Sequence, residues 1–141
     1  MMRNPVRNGV DAIVRMSSTR TNYWGELAVD VVLGVVLMVE GARRHPGALL
    51  GTLAIALGLF AFSFVEYFFH RWMFHTRIPL FAQGHELHHQ HPLGYDSLPF
   101  FLPPLILLAL TGVFVALMPT GFALLLASAI TFGYIIYGLA H

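Results

Sequence analysis

Four long apolar stretches alternate with short polar segments along this chain. The stretches cover residues 23–41, 47–69, 99–118 and 122–140. Each has close to the ~20 residues that an α-helix needs to cross the hydrocarbon core of a bilayer. The pattern predicts an all-α fold, an integral membrane bundle of about four transmembrane helices.

The polar segments divide the chain into a tail and one membrane domain. Residues 1–22 carry four arginines and one acid, and they contain no apolar core long enough for a signal peptide. We interpret them as a basic cytoplasmic tail and residues 23–141 as the membrane domain. Within that domain, residues 70–92 form a polar, histidine-rich segment between the second and third spans.

The arginines determine the predicted orientation. With the N-terminus inside, four arginines of the tail and two of the segment 70–92 face the cytoplasm, whereas Arg43 and Arg44 lie outside. The positive-inside rule therefore predicts that the N-terminus and the histidine-rich segment are both cytoplasmic. Four spans would return His141 to that same side of the membrane.

Composition supports a membrane protein and excludes several other functions. Of the 141 residues, 57% are hydrophobic and 11% are charged, which is far from the usual composition of a soluble domain. Cysteine is absent, so disulfides, thiolate metal sites and a cysteine nucleophile are excluded. The net charge of +1 implies no basic surface for nucleic acid.

The first span contains two carboxylates. Glu26 and Asp30 are four residues apart, so they share one face of a helix. Carboxylates inside a span are costly and usually face the bundle interior or water. Two interpretations stay open: the acids reach the interface near the helix end, or they serve as metal ligands or a proton relay.

The second span carries small residues at helical spacing. Gly51, Ala54 and Gly58 follow one another at intervals of three and four residues. Such residues allow membrane helices to approach closely. We therefore expect this face to pack against another helix.

Six of the eight histidines fall between Glu66 and Pro92. His85, His88 and His89 are related as i, i+3 and i+4, so on a helix their imidazoles project from one face of a single turn. Neutral imidazole binds zinc, iron, copper and nickel. This spacing predicts a metal site.

The pair His70 and His75 is placed differently. Five residues on an α-helix leave the two rings roughly 140° apart, so they would serve two ions, or the helix is interrupted between them. Glu66 precedes His70 by one helical turn. His45, in the loop sequence RRHP, is interpreted as a loop residue without a ligand role.

Four segments of the sequence resemble the fatty acid hydroxylase and sterol desaturase superfamily: EYFFHRWMFH, GHELHHQHP, YDSLPFFLPP and GYIIYGLAH. The run LPFFLPP favours the fatty acid hydroxylase branch. The resemblance covers roughly residues 60–141. It implies a membrane oxygenase that hydroxylates or desaturates a lipid acyl chain with O₂, using two non-haem iron ions, or zinc, on the cytoplasmic side of the bundle.

The resemblance also implies a ligand set and partners. The metal ligands would be His70, His75, His85, His88, His89 and His141. Glu66 and His91 would lie next to the ligands, with Glu66 orienting His70, although His91 has no secure counterpart in the family. Electrons would come from a donor protein of the cytochrome b5 or ferredoxin type, because C–H hydroxylation needs a metal that reduces O₂.

The family pattern continues beyond the position of His141 with further histidines. We therefore expect that these residues are part of a longer reading frame and that the 141-residue chain alone is not a competent hydroxylase. Three other interpretations stay open: a carotenoid ring hydroxylase, a metal-dependent membrane hydrolase, and a membrane metal-binding or transport protein without turnover. The absence of an H-E-x-x-H motif counts against the hydrolase.

Overall fold

The structure, a computed structural model, describes residues 12–13, 15–74, 95 and 98–140. From Arg20 onward the described residues form α1 (Arg20–Arg43), α2 (Ala48–Phe68), a π-helical segment (Phe69–Phe74), α3 (Leu102–Leu117) and α4 (Thr120–Ala140). This part of the chain contains no β-strand. The predicted all-α class is confirmed.

A side-chain cap determines where α1 begins. Thr19 has an extended backbone, and its hydroxyl accepts a hydrogen bond from the Asn22 backbone N–H at 3.2 Å. This is the usual way in which threonine satisfies an N–H group at a helix start. As a result, α1 begins at Arg20, three residues before the predicted start of the first span.

The turn between α1 and α2 is tight. His45 has a φ of 48° and Gly47 a φ of 85°, so two positions around Pro46 adopt left-handed backbone conformations. Glycine adopts this conformation without steric cost, whereas histidine does so less often. The short connection makes α1 and α2 antiparallel, and it places His45 in a loop as predicted.

Helix α4 lies at the centre of the bundle. It packs against α1 and α2 along much of its length and against α3 to a smaller extent. Its buried residues include Ala123, Leu125, Leu126, Ala127 and Ala129. In contrast, α2 and α3 expose large apolar side chains, among them Leu49, Phe60 and Leu105. An apolar exterior of this kind is suited to lipid rather than to water.

Small residues allow α2 to contact α4 closely. Gly51, Ala54 and Gly58 are the buried residues of α2, which confirms the predicted packing face. A Cβ atom added at Gly58 would lie 2.6 Å from both the Ala129 Cβ and the Leu126 carbonyl oxygen. At Gly133, an added Cβ would lie 2.8 Å from the Phe62 ring. Neither position has room for a larger side chain.

Two helices among the described residues are long and apolar enough to cross a membrane. These are Ala48–Trp72, which includes α2, and Thr120–Ala140, which is α4. Helix α3 is apolar but has 16 residues, fewer than the ~20 that span the hydrocarbon. The fold is therefore consistent with a membrane bundle, and two of the predicted spans meet the length and composition of a crossing helix.

Candidate functional site

His70 is the one predicted metal ligand among the described residues. The other predicted site histidines lie outside them: His75, His85, His88, His89, His91 and His141. Within the described ranges, no three His, Cys, Asp or Glu residues lie together as a group that could hold a metal. The structure thus shows the surroundings of one ligand of the predicted set.

The His70 side chain is half-buried beside Glu66. Its Nδ1 atom is buried and lies 3.9 Å from the Glu66 Oε1 atom, although 35% of the side chain is exposed. That distance is longer than a hydrogen bond but within the range of an electrostatic contact. A carboxylate on the Nδ1 side of a histidine is an arrangement in which the other ring nitrogen, Nε2, can bind a metal.

The segment that carries His70 is not α-helical. From Phe69 to Phe74 the backbone forms a π-helix, whose hydrogen bonds run from residue i to i+5 instead of i+4. The α-helical angle of roughly 140° between residues 70 and 75 therefore does not apply to this turn. The winding of the helix thus changes before His75, which lies outside the described residues, so a break between the two histidines stays a prediction. π-Helical turns are frequent at functional sites.

Glu66 contacts α4 as well as His70. Its carboxylate lies near the Tyr137 hydroxyl of that helix. The arginine next to His70 is engaged elsewhere, because Arg71 Nη1 donates to the Tyr67 hydroxyl at 3.0 Å and its guanidinium lies 5.9 Å from the centre of that ring. Glu66 is therefore placed beside His70, as the resemblance implied.

The two acids of α1 face the bundle interior. Glu26 is 5% exposed and Asp30 is 1% exposed. The Tyr134 hydroxyl of α4 donates a hydrogen bond to Glu26 Oε1. Among the described residues, no group donates a hydrogen bond to Asp30 Oδ1. Of the two interpretations of these acids, the one in which they reach the interface is wrong, because α4 covers the face on which both lie.

Two tyrosine–glutamate pairs lie next to each other on α4. The Tyr134 hydroxyl donates to Glu26 of α1, and Tyr137, one helical turn further, lies near Glu66 of α2. The Phe62 ring packs between the tyrosines, with centroid distances of 6.3 Å to Tyr134 and 6.2 Å to Tyr137. A continuous group of polar and aromatic side chains thus joins α1, α4 and α2 at the His70 end of the bundle.

The same end of the bundle includes the start of α1 and the segment before α3. The Asn22 side chain donates to the Leu98 carbonyl at 2.7 Å and accepts from the Phe100 N–H at 3.0 Å. The Tyr23 hydroxyl donates to the Gly138 carbonyl at 3.4 Å. The ends of α2 and α4 that carry His70 and Tyr137 therefore lie together, and Asn22 fixes the chain entering α3 beside them.

Sequence reasoning missed the two tyrosines of α4. Tyr134 and Tyr137 are three residues apart in GYIIYGLAH, so they share a helix face, and they are the two tyrosines of an otherwise apolar span. A buried tyrosine hydroxyl usually has a hydrogen-bond partner. That signal, together with the unexplained acid pair of α1, could have predicted a contact between the two spans.

These features define a class: an apolar helical bundle in which buried carboxylates, tyrosines and a histidine gather at one end. The chain belongs to the fatty acid hydroxylase family, because residues 55–141 match the profile of that family. The resemblance predicted from the histidine motifs is thereby confirmed.

A curated relative agrees with this assignment. The chain is 27% identical over 134 residues to a dihydroceramide fatty acyl 2-hydroxylase from Arabidopsis thaliana. The aligned region covers 87% of this chain and 55% of the relative, so the chain spans about half the length of that protein. No solved structure matches the chain.

Proposed function

We propose that the chain belongs to a membrane enzyme that hydroxylates a lipid acyl chain with O₂ at a site of two non-haem iron ions. The observation that supports this most directly is the placement of His70. It lies on a π-helical turn at the end of an apolar helix, inside the residues that match the family, with Nδ1 facing Glu66. The relative's name, which specifies a fatty acyl 2-hydroxylase, favours an acyl chain over a carotenoid ring as the substrate.

Some residues of the chain would bind the metal and others would contact the substrate. His70 and the other predicted ligands, His75, His85, His88, His89 and His141, would hold the iron, which when bound supplies the activation of O₂ that an unactivated C–H bond requires. The exposed apolar side chains of α2 would contact the acyl chain from the bilayer side. One oxygen atom would enter the C–H bond and the other would leave as water, with two electrons from a cytochrome b5-type or ferredoxin-type donor and two protons.

We further propose a four-span, multi-pass topology with a cytoplasmic N-terminus. The alternating direction of α1, α2, α3 and α4 supports it, since the α1–α2 turn and the α3–α4 turn are both far from the His70 end. The arginine distribution favours placing the His70 end in the cytoplasm, where a soluble electron donor could reach it.

The metal proposal predicts that replacing His70 by alanine lowers bound iron while replacing His45 does not. A lost ligand should weaken metal affinity at least about tenfold, because loss of even a group that only orients a ligand costs 10–100-fold. His45 is the matched control, since it lies in the α1–α2 loop at the opposite end. Iron per chain by elemental analysis and hydroxylated lipid by mass spectrometry, with a redox partner present, would be measured. Equal iron content in the two variants would contradict the proposal.

The topology proposal predicts the sidedness of four positions. Reporter fusions at residues 22, 44, 90 and 120 are expected to report inside, outside, inside and outside. The physical reason is that arginine-rich segments are retained in the cytoplasm during insertion. A fusion at residue 90 found outside would refute the orientation and would separate the histidine-rich segment from any cytoplasmic electron donor.

A further inference from the structure

Asp30 lies in the middle of a row of buried residues between α1 and α4. Its side chain is 1% exposed. On α1 it lies about one helical turn from Glu26 on one side and from Gly34 on the other. The Tyr134 hydroxyl of α4 donates to Glu26. Ser128 Oγ, also of α4, donates to the Gly34 carbonyl oxygen at 2.8 Å. The Asp30 carboxyl group is therefore enclosed by contacts between the two helices on both sides of it.

The hydroxyl groups of the neighbouring helices use their hydrogens elsewhere. A hydroxyl has one hydrogen to donate. On α4, Thr131 Oγ1 donates to the Ala127 carbonyl oxygen at 2.9 Å. On α3, which also packs against α1, Thr111 Oγ1 donates to the Leu107 carbonyl oxygen at 2.7 Å. As a result, Asp30 Oδ1 is buried and receives no hydrogen bond from any residue that the structure describes.

The helices around Asp30 place no positive charge beside it. The chain contains no lysine. The arginines of α1, Arg20 and Arg43, lie at its two ends, roughly 15 Å and 20 Å along the helix from Asp30 at about 1.5 Å per residue. Helix α3 has no ionisable side chain, and the ionisable side chains of α4 are tyrosines. The other ionisable group on the same face of α1 is Glu26, which is itself an acid.

We propose that Asp30 is a proton-binding site inside the bundle, a neutral carboxylic acid under conditions in which exposed carboxyl groups are charged. A single charged carboxylate in an apolar interior is so costly that such a group takes up a proton instead. A nearby second acid acts in the same direction, because two carboxylates close together do not both ionise readily. Glu26 is the charged member of the pair, since the hydroxyl of Tyr134 donates to it and a hydrogen bond to the charged form favours that form.

A protonated acid also suits the hydrogen-bonding groups of this interface. A carboxylate only accepts hydrogen bonds, whereas a neutral carboxyl group has an O–H to donate. Main-chain carbonyl oxygens accept such bonds here, as they do from Ser128 and Thr131. The inference goes beyond the proposed function and does not require any of the predicted metal ligands. Asp30 lies on α1, outside the residues 55–141 that match the family.

The test is infrared spectroscopy of the full chain in lipid nanodiscs, with the C=O stretching band of protonated carboxyl groups as the readout. At about pH 6 an exposed aspartate, whose pKa is about 3.9, is ionised and lacks this band. The wild-type chain is expected to show the band, and a ¹³C label in the aspartate side chains should shift it. Asp30→Asn should remove the band. Glu40→Gln is the matched control and should keep it, because Glu40 is an exposed acid of the same helix that is paired with Arg43.

Three results would overturn the inference. The first is a wild-type spectrum without the band at that pH. The second is a band that the aspartate label does not shift, and this measurement decides the question even if a melting curve shows that Asp30→Asn does not fold. The third is a band that remains in Asp30→Asn and disappears in Glu26→Gln, because Glu26 would then hold the proton. None of these measurements involves bound iron, so they are independent of the metal proposal.

Discussion

Replacing Gly58 by alanine is expected to lower the free energy of unfolding by about 1–3 kcal/mol, the usual cost of overpacking a well-packed contact. The new Cβ would lie 2.6 Å from both the Ala129 Cβ and the Leu126 carbonyl oxygen. One of these atoms is backbone, so α2 and α4 must move apart. Leucine at the same position should lower the free energy of unfolding further, because its larger side chain would also have to fit against the α4 surface.

Gly112→Ala is the matched control for this prediction. Gly112 also lies within an apolar helix, α3, but a Cβ added there has no neighbour within 4 Å. Alanine favours a helix by roughly 0.5–1 kcal/mol over glycine, so this variant should be as stable as the wild-type chain or more stable. Unfolding in mixed detergent–SDS micelles would measure both. Equal stability of the two alanine variants would show that α2 and α4 are not in close contact at Gly58.

The apolar pattern predicted all four helices to within three residues at each end. α2 and α4 agree with the predicted spans because proline or glycine and polar residues bound each apolar run. α3 begins where Pro103 and Pro104 occupy its first turn, a position that suits proline. The start of α1 could not be predicted in this way, because it depends on the hydrogen bond that the Thr19 hydroxyl accepts from the Asn22 N–H and not on hydrophobicity.

The spacing of hydrophobic residues could not predict which side chains are buried by contact with another helix. The spacing of Glu26 and Asp30 indicates one face, but not whether that face meets lipid, water or protein. Only the position of α4, with Tyr134 facing α1, shows that both acids are buried. The π-helical turn at His70 could not be predicted either, since the order of apolar and polar residues does not show whether hydrogen bonds run from i to i+4 or from i to i+5.

Replacing Tyr134 by phenylalanine is expected to lower the free energy of unfolding by about 1–3 kcal/mol, the cost of removing one partner of a buried polar pair. The Tyr134 hydroxyl donates to Glu26 Oε1, and Glu26 is buried between α1 and α4. With the hydroxyl removed, a carboxylate in a low-dielectric interior loses a donor that water cannot replace. Unfolding in mixed micelles would measure the loss.

A double-mutant cycle tests whether the pair, and not the tyrosine alone, carries this effect. Adding Glu26→Leu to Tyr134→Phe removes both polar groups, and replacing both partners by apolar groups is often nearly neutral, so part of the stability should return. Tyr67→Phe is the control, because that exposed hydroxyl contacts Arg71 and should change stability by no more than about 0.5 kcal/mol. A double variant whose loss equals the sum of the two single losses would show that Tyr134 and Glu26 stabilise α1 against α4 independently.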